Sequence, residues 1–158
     1  MKLGLGSYAY RWSIGIKDQV PAAPLTAFDL LDRAQALGLD VVQYADNMPL
    51  DRYSEADHHR LYEAAQDKGL TLELGTQCFD ADEVDRYLDI GQRLGAKIMR
   101  VALDEADSQV AVADLAEQLR PRVDKARAKG MKIAIENHFN YPSPRMVELL
   151  DAVNDDHL

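Results

Sequence analysis

The stretch Met131–His138, Met-Lys-Ile-Ala-Ile-Glu-Asn-His, sets three groups capable of chemistry at the end of a short apolar run. Ile133, Ala134 and Ile135 read as a parallel strand covered on both faces. Glu136 follows directly. A carboxylate there is costly to desolvate unless it is paired or bound to a metal, and a metal would keep it ionised at neutral pH. Its other reading is structural, as the partner of Arg100. That arginine lies inside an apolar strand, Ala96–Leu103, and itself needs a counter-ion. Arg100 can then orient Glu136 or bind a substrate oxygen. Successive strand residues point to opposite sides, so His138 projects with Glu136 and Asn137 points away. A backbone-satisfied histidine is the plainer reading of His138. One carboxylate does not hold Mg²⁺ or Mn²⁺ tightly, since such ions need near-octahedral oxygen shells.

Other groups end neighbouring strands. Tyr44 and Gln77 can hydrogen-bond a polyol. Tyr8 and Trp12 can stack on a ring face or simply plug the end of the fold. Cys78 has no dedicated base in view and reads as a quiet thiol. His58 and His59 fall in a polar helix start and read as solvent-facing.

A repeat positions these groups. Ala34–Gln43, Ala65–Leu74, Gly91–Arg100 and Ala126–Glu136 each run from a helix end through a glycine into an apolar strand. The stop glycines are Gly38, Gly69, Gly95 and Gly130, and a period near 30 residues marks a βα array. A first strand, Lys2–Gly6, precedes them. Ile14–Pro24 reads as a loop. Thr26 caps the next helix with Asp29 in its first turn, and Ala27, Leu30, Leu31, Ala34 and Leu37 form its packing face. Ser54 with Asp57 caps the second helix, and the third starts near Asp80 or Asp82. Asp104–Gln109 reads as a polar loop. Pro121 should kink or divide the fourth helix. Ser143-Pro144 reads as a capped start with proline at N1 of the fifth, which Asn154 stops. His157-Leu158 falls where a sixth strand would begin.

The bulk numbers bound the class. The chain has 158 residues, 47% hydrophobic and 28% charged, with a formal net charge of −9. One domain over residues 1–158 fits, burying roughly 68–70% of its unfolded surface. The acidic balance disfavours nucleic acid and anionic membrane, because phosphate binding relies on Lys and Arg. The single cysteine allows no intrachain disulfide, and no run reaches the ~18 apolar residues a membrane helix needs. A cytoplasmic protein is the expectation.

The fold class is α/β, and two architectures compete. One is an open doubly wound parallel sheet. The other is a TIM-type (β/α)8 barrel, truncated to about five βα units. A doubly wound nucleotide binder usually carries a phosphate loop after its first strand, whereas this turn holds Tyr8, Tyr10, Arg11 and Trp12 and no G-x-G-x-x-G appears. Polar groups follow nearly every strand, which suits a ring of loops around one mouth. The barrel is favoured.

Gly-Ser-Tyr-Ala-Tyr-Arg-Trp after strand one, Val-Gln-Tyr-Ala-Asp-Asn at strand two and Ile-Ala-Ile-Glu-Asn-His at strand five resemble the xylose isomerase-like barrel superfamily, in particular its sugar-phosphate isomerase/epimerase group. The resemblance covers the whole chain but about five-eighths of a typical member. It implies a metal-dependent sugar (phosphate) isomerase or epimerase, moving a proton next to the carbonyl of a keto sugar. Glu136 takes the first place in a divalent metal site, Mg²⁺ or Mn²⁺, and is the catalytic carboxylate. The later ligands have no counterpart here, so the site is incomplete in this chain. By the same resemblance Tyr8, Trp12, Tyr44, Gln77, Arg100, Asn137 and His138 shape a pocket for a small sugar. Dehydration, other lyase chemistry and C-glycoside cleavage occur with similar sites. Phosphodiester chemistry on damaged DNA also occurs in the superfamily, and the −9 charge argues against it. The competing expectation is a non-catalytic partial barrel. Its exposed first and fifth strands would favour a homo-oligomer, or association with the missing barrel portion.

Overall fold

The computed structural model describes residues 2–16, 18–136 and 138–158. Five parallel strands form one sheet in the order β1 (Gly4–Gly6), β2 (Val41–Tyr44), β3 (Thr71–Thr76), β4 (Ile98–Ala102) and β5 (Lys132–Glu136). Between them run α1 (Arg11–Ile14), α2 (Ala27–Ala36), α3 (Glu55–Asp67), α4 (Ala81–Arg93), α5 (Glu105–Gln109) and α6 (Val112–Ala128), and α7 (Ser143–Val153) follows β5. Each strand pairs with its predecessor in sequence, so every crossover steps the same way. Right-handed crossovers then put all the helices on one face. That is barrel wiring, and it excludes the doubly wound alternative, whose strand order reverses at a switch point.

The repeat is built on one local device. The N–H of Gly38, Gly69, Gly95 and Gly130 reaches back to Gln35, Gln66, Gln92 and Arg127, and the next residue's N–H to Ala34, Ala65, Gly91 and Ala126. All four glycines have φ between 65° and 68°. This is the Schellman stop, which closes a helix and turns the chain back into a strand. Asn154, with φ 50°, stops α7. Helix starts are equally local. Thr26 with Asp29 and Ser54 with Asp57 form reciprocal capping boxes, and Asp80 caps α4 through the Glu83 N–H.

Alternation along the strands divides the sheet into two surfaces. Leu5, Val42, Leu72, Leu74, Met99, Val101 and Ile133 point outward and are buried against the helices, with Leu30, Leu31, Leu61, Leu88, Leu115 and Leu119. The inward residues are Gly4 and Gly6, Val41 and Gln43, Thr71, Glu73 and Gly75, Ile98, Arg100 and Ala102, and Lys132, Ala134 and Glu136; of these only Gly75, under Arg100, and Ala102 are buried. The expectation that β5 is covered on both faces is therefore corrected: Ala134 faces the open concave side.

Several local expectations change for stated reasons. Asp104–Gln109 is not a loop, because Asp104 and Asp107 form a third capping box and start α5. The segment after β1 forms a 3-10 turn, Ser7–Tyr10, and α1 before the loop. α6 runs through Pro121 undivided; Leu115, Leu119, Val123 and Ala126 hold it on the sheet on both sides of the lost hydrogen bond. Leu37 is the exposed cap residue of α2 rather than part of its packing face. Ser143 is the first residue of α7, and its cap position is Pro142. His58 is 2% exposed, with Nε2 2.8 Å from the Leu50 carbonyl, whereas His59 is on the surface beside Glu63. At the far edge of β5 the Ile133 N–H donates to the carbonyl of His157 at 2.8 Å, so His157 already lies along the place of a sixth strand.

Candidate active site at the carboxyl end of the sheet

The carboxyl ends of the five strands and the turns after them form a mouth. In it lies a cavity of about 710 Å³ lined by Tyr8, Gln43, Gln77, Arg100, Glu136 and His138, with Arg11 and Phe139 at its rim. An adjoining hollow of about 770 Å³ shares Tyr8 and Gln77 and runs between the loops after β1 and β2. In parallel α/β folds chemistry gathers at this end, because the loops there vary while the strands stay fixed.

Arg100 is the centre of the constellation. It projects inward from the middle of β4, opposite Gly75 of β3 in register. Its Nη1 donates to Glu136 Oε2. Its Nη2 lies 3.5 Å from the Thr76 carbonyl and 4.0 Å from Asp46 Oδ1. The guanidinium therefore sits between the carboxylates of β5 and of the turn after β2. The structural pairing of Glu136 with Arg100 is thus present. It does not remove Glu136 from the mouth, since 37% of that side chain stays exposed.

The turns after β1 and β2 are tied together. Tyr8 Oη donates to Asp46 Oδ2 at 2.7 Å, Ser7 Oγ donates to Asn47 Oδ1 at 2.6 Å, and the Ala45 N–H donates to Ser7 Oγ. Burial and the Asp46 carboxylate push the Tyr8 phenol up to about 12. Tyr8 therefore stays a proton donor at neutral pH, holding one Asp46 oxygen while the other, buried, has no hydrogen-bond partner among the described residues. Gln43 Nε2 donates to Glu73 Oε2 at 3.0 Å on the concave face below.

The residues named from sequence fall into distinct places. Tyr8, Gln77, Arg100, Glu136 and His138 line the one cavity. The His138 ring stacks at a tilt on Phe139, centroids 4.1 Å apart, and its Nδ1 is buried without a partner among the described residues. Trp12 stands outside that cavity, 62% exposed, with the Arg11 guanidinium 5.0 Å from its ring centre. Tyr44 is not in the mouth at all. It is 1% exposed among the helices, and its hydroxyl donates to the Ala27 carbonyl at 2.8 Å. One step of alternation separates it from Gln43, which does face inward. Asn137 lies outside the described residues. Cys78 is half-buried, and burial together with Glu83 and nearby aspartates pushes its thiol up, away from the reactive thiolate.

Reading the sequence missed Asp46, Ser7, Asn47 and Gln43. Asp46 carried a usable signal: it lies three residues after the end of a predicted strand, as Gln77 does. Among the described residues no group of three or more His, Cys, Asp or Glu side chains is placed to hold a metal ion. Glu136 and Asp46 stand on either side of a guanidinium instead. These residues do not by themselves fit a divalent-metal shell.

Comparison with known proteins agrees with this geometry. The chain is 25% identical over 154 residues to the 3-oxo-isoapionate decarboxylase of Pectobacterium atrosepticum, covering 98% of this chain and 55% of that protein. It superposes on D-psicose 3-epimerase with D-tagatose from Clostridium cellulolyticum with a TM-score of 0.76 at 19% identity, over 99% of this chain and 61% of the other. It superposes on the IOLI protein with a binding zinc atom with a TM-score of 0.74 at 18% identity, over 99% and 60%. The chain thus spans a little over half the length of these relatives. Residues 31–158 match the family described as the xylose isomerase-like TIM barrel, and the chain belongs to that family.

Proposed function

We propose that this chain carries the first five strands of a metal-dependent sugar isomerase or epimerase, in which Glu136 moves a proton at the carbon next to the carbonyl of a keto sugar. The observation that supports the reading is Glu136 itself: an exposed-edged carboxylate at the end of β5, paired with Arg100 in an open mouth of about 710 Å³. A carboxylate within reach of a substrate C–H is a general base, and an adjacent cation stabilises the negative charge that develops on the carbonyl oxygen. Tyr8 and Gln77 supply neutral hydrogen-bonding groups suited to sugar hydroxyls. Trp12 offers an exposed ring outside the cavity, next to the rim residue Arg11. The divalent metal that the family resemblance implies, Mg²⁺ or Mn²⁺, would take Glu136 as one ligand and would need its others from outside the described residues. The lone cysteine is consistent with a reducing cytoplasmic compartment.

The test is exchange of the proton next to the carbonyl. D-fructose and D-tagatose are incubated in D₂O with the longest natural polypeptide containing these residues, with Mn²⁺ and then with a chelator. Metal-dependent deuterium uptake that Glu136→Gln abolishes is expected. Uptake that persists in Glu136→Gln overturns the assignment. A second reading, decarboxylation of a keto-sugar acid, is supported by Arg100 in the mouth and by the name of the decarboxylase relative. Release of CO₂ without deuterium uptake from ketoses would select it.

A further inference from the structure

We propose that Arg100 is an oxyanion receptor, which seats a carboxylate or phosphate carried by the keto-sugar substrate. The proposal rests on reading the mouth as a sugar site and adds the charge of the sugar.

The placement of the guanidinium is built into the backbone. Gly75, its register partner on β3, has no side chain, and a Cβ there would lie 2.6 Å from Arg100 Nε and 2.8 Å from Nη2. The guanidinium therefore lies flat across β3, with Nε buried and the Nη edge turned toward the strand ends. An arginine serving only to neutralise Glu136 would close its fork on that carboxylate with two parallel N–H···O bonds. Here one bond is made, from Nη1. The other arm points at the Thr76 carbonyl and Asp46 at 3.5 and 4.0 Å, both longer than a good hydrogen bond of about 2.7–3.2 Å. Of five N–H donors on a side chain 18% exposed, one is spent on Glu136, Nε is buried without a partner among the described residues, and the rest of the Nη edge faces the mouth. That edge is held in place with donors to spare for an incoming acceptor. A neutral hydroxyl offers a single weak acceptor. A carboxylate or phosphate offers two charged oxygens spaced for the Nη edge. Tyr8, Gln77 and His138, in the same cavity, remain for the hydroxyls of the sugar.

The experiment is a calorimetric titration of the whole chain with three probes, 2-keto-D-gluconate, D-fructose 6-phosphate and D-fructose. The wild type is expected to bind at least one of the two anions tenfold or more tightly than D-fructose. Arg100→Lys keeps the charge but loses the fork, and should bring the anion down to the level of the neutral sugar. Gly75→Ala keeps the arginine but displaces its guanidinium, and should do the same. The Arg100 side-chain ¹⁵N resonance of the wild type should shift with the anion and not with D-fructose, which reads the contact without any variant. Loss confined to the keto acid identifies a carboxylate, and loss confined to the phosphate ester identifies a phosphate. The proposal is overturned if neither anion binds, if D-fructose binds as tightly, or if the preference survives Arg100→Lys. Binding is read without turnover, so failure of deuterium exchange removes the proposed reaction and leaves this result standing, and the reverse also holds.

Discussion

Replacing Tyr44 by Phe separates the two sides of the sheet in one experiment. The ring fills its place among Ala27, Leu30 and the outward strand residues, and the substitution keeps it, so no cavity opens. Only the hydroxyl goes, and with it the 2.8 Å bond to the Ala27 carbonyl. A buried hydrogen bond of this kind contributes about 1 kcal/mol, and an acceptor left bare costs about 1–3 kcal/mol. The Ala27 carbonyl opens α2 and keeps its in-helix donor four residues on, so the lower figure applies. A loss of about 1 kcal/mol lowers Tm by about 2–4 °C in a domain of this size. Burial raises the Tyr44 phenol well above its ordinary value, so the hydroxyl stays neutral and the effect should be constant across neutral pH. Urea denaturation followed by circular dichroism measures it, with Gln43→Ala as the inward-facing control expected to lose less than about 0.5 kcal/mol. If Tyr44→Phe leaves stability unchanged while weakening ligand binding, the orientation of β2 is wrong and so is the division of the sheet into two surfaces.

Other expectations follow from the same geometry. Ser54→Ala should cost about 1 kcal/mol by opening the box that starts α3, read as a fall in urea midpoint at constant m-value. The Ser54 hydroxyl and the Arg60 guanidinium hold Asp57 down at about 2. Its contribution is then complete above the ordinary carboxylate value near 4 and is lost as pH falls toward 2, so Asp57→Asn should be less stable than the wild type at pH 7 and converge with it as pH falls toward 2, which flattens the acid limb. A steepened acid limb in that variant would refute the sign. Burial of the His58 ring against Leu50 implies that His58→Ala costs about 2–3 kcal/mol while His59→Ala is near neutral in thermal unfolding. Among the described residues no strand pairs with the outer edge of β1 or of β5, where Ile133 bonds His157. Light scattering should therefore report a mass above the 17.7 kDa of one chain, and a monodisperse monomer would show that those edges need no partner.

What was legible in the sequence was whatever is encoded within a few residues. The four glycines after helix ends, the Thr26–Asp29 and Ser54–Asp57 boxes and the Asn154 stop are closed local circuits of hydrogen bonds, and each stands where the sequence places it. The sequential parallel order followed from repeating one such unit. Facing was harder. Tyr44 and Gln43 are both plausible strand-end groups, and only the register of β2 against β1 and β3 decides which turns inward. His58 looked exposed because its neighbours are polar, yet the carbonyl of Leu50, eight residues away, takes it into the core. The contact between Arg100 and Glu136 was foreseeable, because two lone charges in adjacent apolar strands need each other. The clearance at Gly75 was not, because it depends on which residue of β3 lies beside Arg100.

The small and polar concave face has an evolutionary consequence. Residues that pack on the helices and residues that face the concave side alternate along the same strands. Exchanges at Gln43, Glu73, Arg100 or Ala134 leave the helix-packed layer of Leu72, Leu74, Met99 and Ile133 intact. Selection can therefore search new specificities on one surface without eroding the stability held by the other. A library randomised at inward positions should yield a far larger share of folded members than one randomised at the positions between them.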